Sequence, residues 1–150
     1  MCVAGGVLAR TAHAGELRVG QPAPEATLVT LDGRPLSTTA LLGQVVILSF
    51  WATWCVPCRD ELPLLSKYAT EHASQGLTVL GFSLDTADQL AEVRKVAAKL
   101  SFPVGLLERS SASGYGRMWR LPVSFTIDRA GRLAENGWKE KQPTWTAQRI

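Results

Sequence analysis

Apolar positions along the chain change their spacing several times, and each change marks an element. Val45-Val46-Ile47-Leu48-Ser49-Phe50-Trp51 is almost unbroken apolar and β-branched text, which predicts a strand buried on both faces. Leu62, Leu65, Ala69 and Ala73 then recur at spacings of three and four, predicting a helix of about 17 residues that starts near Cys55 and stops by Gly76. Asp60 and Glu61 are expected in its first turns, where carboxylates favour the positive end of the helix dipole, and Pro63 predicts a kink. Residues 77–84 read as the next strand, making a strand-helix-strand unit and therefore a sheet that is at least partly parallel. Residues 85–100 predict a second amphipathic helix with Leu90, Val93, Ala97 and Leu100 on one face. A short strand over 102–107 and a short helix over 113–119 follow, then Val123-Ser124-Phe125-Thr126-Ile127, whose alternation suits an antiparallel strand with one covered face. Asp128-Arg129-Ala130-Gly131 turns the chain into a last strand over 132–138, and the tail holding Trp145 has the look of a helix start. Upstream, residues 26–31 and 35–37 flank Asp32-Gly33, a hairpin signal because such turns need positive φ. The whole pattern predicts an α/β domain with a central mixed sheet flanked by helices.

Composition narrows the class. The 150 residues, 46% of them apolar, suffice for one globular core, and the absence of low-complexity tracts argues against disorder or a fibrous repeat. A net charge of +3 from scattered basic residues lacks the clustered stripe of a nucleic-acid groove, so nucleic acid is not an expected partner. No apolar run approaches the roughly 20 residues of a membrane-spanning helix. Residues 1–14 stand apart: an apolar stretch leads to Ala12-His13-Ala14, which suits signal-peptidase cleavage, although no basic segment precedes it. They read either as a truncated signal peptide or as a disordered tail, leaving residues 15–150 as the domain. Cleavage there would discard Cys2 and leave an even pair, Cys55 and Cys58, as an oxidising compartment favours.

That pair carries the candidate chemistry. Trp51-Ala52-Thr53-Trp54-Cys55-Val56-Pro57-Cys58-Arg59 joins a buried strand to a helix start, and cysteines three apart there lie one above the other, within reach of a disulfide. Cys55 at the helix N-terminus faces backbone N–H groups that stabilise a thiolate, lowering its pKa below the free value of about 8.5, so Cys55 is the expected nucleophile. Cys58, one turn in, is the expected resolving thiol that attacks the mixed disulfide. A zinc site would need two more ligands, and only Cys2, His13 and His72 are at hand, so no metal is expected. A purely structural bridge closing so short a loop would add little stability. Trp54 is a candidate for the rim over the disulfide and Trp51 for the core, while Arg59 and His72 read as surface side chains.

The Trp-Cys-x-x-Cys segment after a strand, with the later Leu121-Pro122 and the turn before Gly131, resembles the thioredoxin superfamily. Gly20-Gln21-Pro22-Ala23-Pro24 with Leu31-Asp32-Gly33, and Phe50-Trp51-Ala52-Thr53-Trp54-Cys55, resemble more narrowly the TlpA/ResA-like branch of periplasmic thiol-disulfide oxidoreductases, over about residues 18 to 138. The resemblance implies a thioredoxin fold with an N-terminal β-hairpin extension, and a thiol-disulfide oxidoreductase of the protein-disulfide reductase type. It implies no cofactor beyond the Cys55-Cys58 disulfide. It places the domain outside the cytoplasm, often membrane-tethered, with exported protein thiols and disulfides as partners, apocytochrome c among them, and a membrane or thioredoxin-type electron donor upstream. It also makes Pro122 the family's cis-proline opposite the cysteines, with Leu121 pairing its backbone with substrate, and Trp54, Val56 and Pro57 joining them at the substrate surface. Asp85, at the end of the strand after the helix, matches the place where some members carry a carboxylate near the cysteines; it reads as a proton shuttle for Cys58 or, on local grounds alone, as a helix N-cap.

Other readings remain. Peroxiredoxins share the N-terminal pattern, but their motif sets a threonine three positions before the reactive cysteine, and here that position is Ala52. A copper-delivery protein of the superfamily would space its cysteines four apart. A non-catalytic binding module that keeps the fold is the alternative from another class. The residues between the cysteines, Val56-Pro57, supply no cation to favour the thiolate, which leans toward a reductant.

Overall fold

The computed structural model describes residues 17–139, so the expectations for residues 1–14 and for the Trp145 tail lie outside the described residues. Its centre is a five-stranded sheet in the order β5-β4-β3-β6-β7, built from β3 (Val45–Trp51), β4 (Leu77–Ser83), β5 (Val104–Leu106), β6 (Val123–Ile127) and β7 (Leu133–Asn136). β3 is the middle strand, as its unbroken apolar text requires, parallel to β4 and antiparallel to β6. β5 adds in parallel to β4 and β7 antiparallel to β6, which gives the mixed sheet expected from the sequence.

Alternate β3 residues serve two cores. Ile47 and Trp51 meet Leu62, Leu65 and Ala69 of α1 (Val56–His72) and Val93 of α2 (Leu90–Ala97), so both helices cover one face. Val46, Leu48 and Phe50 pack on the opposite face with Leu28, Phe82, Tyr115 and Phe125. Phe50 stacks on Phe82 with ring centroids 4.9 Å apart and meets Phe125 edge-on at 5.8 Å. The second face is covered by the hairpin of β1 (Thr27–Val29) and β2 (Pro35–Ser37) and by the segment around Tyr115, whose hydroxyl donates to the Pro24 carbonyl at 2.7 Å.

The hairpin is tied down by backbone. Leu31 N–H donates to Val104 O at 3.1 Å, Thr27 and Ser111 exchange two backbone bonds, and β1 lies so close to β5 that a Cβ at Gly105 would fall 1.9 Å from the Val29 carbonyl oxygen. At the other end of the sheet, residues 20–23 run beside β7, with Gly20 N–H to Leu133 O at 2.8 Å and Leu133 N–H to Gln21 O at 2.9 Å.

Several local expectations are corrected. The hairpin turns at Asp32-Gly33 through a loop of three residues closed by Thr30 and Arg34, and of the two turn residues positive φ is taken up by Gly33 alone, at +86°. The second helix runs over Leu90–Ala97 rather than 85–100, entered by a single 3-10 turn at Ala87–Gln89, because only from Leu90 does the apolar face hold. The short helix over 113–119 is one 3-10 turn, Ser113–Tyr115, and the strands over 102–107 and 132–138 shorten to β5 and β7. α1 continues through Pro63 as one helix, and since its first turn holds no acidic residue, Asp60 and Glu61 lie beyond the stretch where the dipole would reward them. Glu61 is in fact buried beside the apolar residues of α1.

Candidate active site

Cys55 is the N-cap of α1, with φ −90° and ψ 104°, and its Sγ accepts the Cys58 N–H at 3.3 Å. Pro57 follows within the first turn, where a missing backbone donor costs nothing. Cys55 and Cys58 are joined by a disulfide with Cα atoms 5.3 Å apart. Cys58 is wholly covered, whereas Cys55 keeps 6% of its surface open. The asymmetry fits an attacking thiol with access and a resolving thiol without it. A thiolate freed at Cys55 would find helix N–H groups already pointed at it.

That opening leads into a cavity of about 420 Å³ lined by Trp54, Cys55, Val56, Pro57, Leu84, Met118, Trp119, Arg120 and Leu121. The sequence-predicted surface residues Trp54, Val56, Pro57 and Leu121 are thus brought together around Cys55. Trp54 and Val56 are exposed, at 62% and 69%. The Leu121-Pro122 peptide bond is cis, and Pro122 itself is buried. Met118, Trp119 and Arg120 escaped the sequence reading because the segment was expected to be helical and its cysteine-facing side had no periodic mark. Trp119 is exposed and stacks on Trp138 with centroids 5.3 Å apart. Arg120 lies against both indoles, its Cζ 5.2 Å and 5.8 Å from their centroids, and donates Nη2–H to the Gly137 carbonyl at 2.6 Å.

Asp85 is buried behind the loop that precedes Cys55. The β3–β4 register pairs Trp51 with Ser83, so the residues two further on, Thr53 and Asp85, meet past the strand ends. The carboxylate accepts the Thr53 N–H at 2.9 Å, the Thr53 hydroxyl at 2.6 Å and the Ser83 hydroxyl at 2.6 Å. The N-cap reading of Asp85 does not hold: the 3-10 turn that follows is capped at Thr86 and α2 at Gln89. Thr53 gives its hydroxyl to Asp85 and Ala52 has none, so neither supplies the peroxide-binding hydroxyl of a peroxiredoxin. Trp51 is core as expected. His72 sits at the far end of α1, bonded to Gln75 at 2.7 Å and beside Tyr68.

Proteins similar to this chain include several named as thiol-disulfide oxidoreductases. The AhpC/TSA family model matches residues 19–136. The chain is 28% identical over 120 residues to the thiol-disulfide oxidoreductase ResA of Bacillus anthracis, covering 80% of this chain and 69% of that protein. It is 33% identical over 122 residues to the thioredoxin-like protein YneN of Bacillus subtilis, covering 79% and 71%. Among solved structures, a thiol:disulfide interchange protein of the thioredoxin family from Chlorobium tepidum superposes with a TM-score of 0.63 at 30% identity, covering 81% of this chain and 86% of that one. StoA from Bacillus subtilis gives a TM-score of 0.57 at 28% identity, covering 75% and 85%. The family model spans the stretch that builds the disulfide and its cavity, and on that ground the chain belongs to the AhpC/TSA family and is similar, within it, to thiol-disulfide oxidoreductases such as ResA.

Proposed function

We propose that this enzyme reduces disulfides of proteins outside the cytoplasm, in the manner of cytochrome c maturation. The observation that carries the reading is the disulfide at the start of α1, with Cys55 opening on an apolar cavity and Cys58 sealed beneath it. In the reduced enzyme the Cys55 thiolate attacks one sulfur of the partner's disulfide, forming a mixed disulfide, and the displaced partner thiolate takes up a proton. Cys58 then loses its proton and attacks Cys55 Sγ. The enzyme disulfide re-forms and the partner leaves as a dithiol, two electrons richer. A membrane-bound or thioredoxin-type donor restores the enzyme dithiol. In this scheme the Asp85 carboxylate, which also holds the loop before Cys55, accepts the proton that the Cys58 thiol gives up. Leu121 and cis-Pro122 seat the partner's backbone, and Trp54, Val56 and Pro57 its side chains.

The direction is tested by equilibrating the domain in graded glutathione buffers and reading the Cys55-Cys58 pair by alkylation mass shift. A reductant gives a potential near about −270 mV, the value of thioredoxin; one near about −120 mV makes the enzyme an oxidant and overturns the reading. With Cys58→Ser the mixed disulfide persists, so partners can be trapped, and an apocytochrome c with oxidised cysteines is the first to try.

A further inference from the structure

The cavity beside Cys55 is apolar except at one point. Arg120 is the charged side chain among the residues lining it, and no carboxylate lines it. Among the described residues no carboxylate forms an ion pair with Arg120. Its Nη2 is used by the Gly137 carbonyl, while its Nε is buried without a hydrogen-bond partner. With Nη2 engaged and Nε closed off by burial, Nη1 is the donor group of the guanidinium left for a carboxylate, and the indoles of Trp119 and Trp138 fix its position. Apolar walls strengthen any pairing made there, since the field of Arg120 is less screened than in open water.

From this we infer that Arg120 selects substrates: the preferred partner is an extended polypeptide whose disulfide cysteine has an acidic side chain as its neighbour, with the carboxylate seated on Arg120 and apolar flanking residues on Trp54, Val56 and Trp119. The inference rests on the proposed reductase reading and adds the substrate's chemical class. Arg120 is a specificity residue; it takes no part in the sulfur exchange.

The test uses the pre-reduced protein in single turnover with three cyclic peptides, each closed by a Cys–Cys disulfide and differing only in a Glu, Gln or Lys beside the first cysteine. Dividing each rate constant by that of the same peptide with dithiothreitol removes intrinsic differences in disulfide reactivity. The Glu peptide should outpace the Gln peptide about threefold and the Lys peptide about tenfold, as attraction in one case and repulsion in the other dictate. In about 1 M salt, where the Debye length is about 3 Å, the advantage should shrink but persist, because a pair between apolar walls is screened less than one in open water. Arg120→Gln should bring the three rates together, and Arg120→Glu should put the Lys peptide first. Equal rates in the wild type, or an unchanged order in both variants, overturn the inference while leaving the reductase reading intact. Failure of all three peptides to oxidise the enzyme overturns the reductase reading itself, and the inference with it. Should Arg120→Glu not fold, the comparison of wild type with Arg120→Gln decides the matter, and should neither variant fold, equal wild-type rates for the three peptides still overturn the inference.

Discussion

Asp85 shows how much depends on one buried side chain. A carboxylate held by three donors is well satisfied, but each donor is equally dependent on it. Asp85→Ala strands the Thr53 N–H and the Ser83 hydroxyl, and should cost about 2–4 kcal/mol, read as a lower urea midpoint at unchanged slope. Thr53→Val removes one donor only and should cost about 1 kcal/mol. Asp85→Asn separates the two roles: if the carboxylate takes the Cys58 proton, the pH profile of mixed-disulfide resolution changes shape, whereas a purely positional role lowers the rate equally at every pH. The cysteine pair was legible in the sequence because its geometry is local, fixed by a three-residue spacing at a helix start. The Thr53–Asp85 contact was not, since it spans 32 residues and exists only once β3 and β4 are in register. Arg120 was less legible still, because nothing local distinguishes it from a solvated surface charge.

At the scale of elements, the strands of the sheet core and α1 followed from periodicity, while the corrections fall where tertiary contact overrides local text. The apolar pattern of α2 begins at Leu90, yet the preceding residues looked equally helical; Asp85 is drawn instead into the loop before the cysteines. The segment from 116 to 121 gave no warning that it would form a cavity wall, since its side chains are placed by Trp138 and Gly137 from a distant strand end. The hairpin was readable as a hairpin, but its seat on β5 was not. That seat depends on Gly105, where any side chain meets the Val29 carbonyl. Gly105→Ala should therefore lift the hairpin and destabilise the fold by about 3 kcal/mol, seen in the urea midpoint and in faster hydrogen exchange at Leu31 and Thr27, whose N–H groups bond across to the body.

Over the whole molecule, one buried group links stability to alkaline pH. Burial of Tyr115 in the core beneath the hairpin raises its phenol above the ordinary value of 10.0. The folded state then keeps a proton that the unfolded chain loses, so this contribution is complete below pH 10 and declines as pH rises beyond it, by about 1.4 kcal/mol per unit. Urea midpoints of the wild type and Tyr115→Phe at pH 9 and 11 should show the wild type losing about 1 kcal/mol more across that interval. The backbone bonds along β5 and β7 have a different consequence. Leu31 N–H takes up the Val104 carbonyl at one rim of the sheet, and Gly20 and Gln21 pair with Leu133 at the other, so a stray strand would meet ladders that are interrupted at both rims. An oxidoreductase that works on disulfide-bearing chains, as proposed, is thereby less open to being templated by them. On that reading such chains dock at the mouth beside Cys55, and encounter and chemistry share one place.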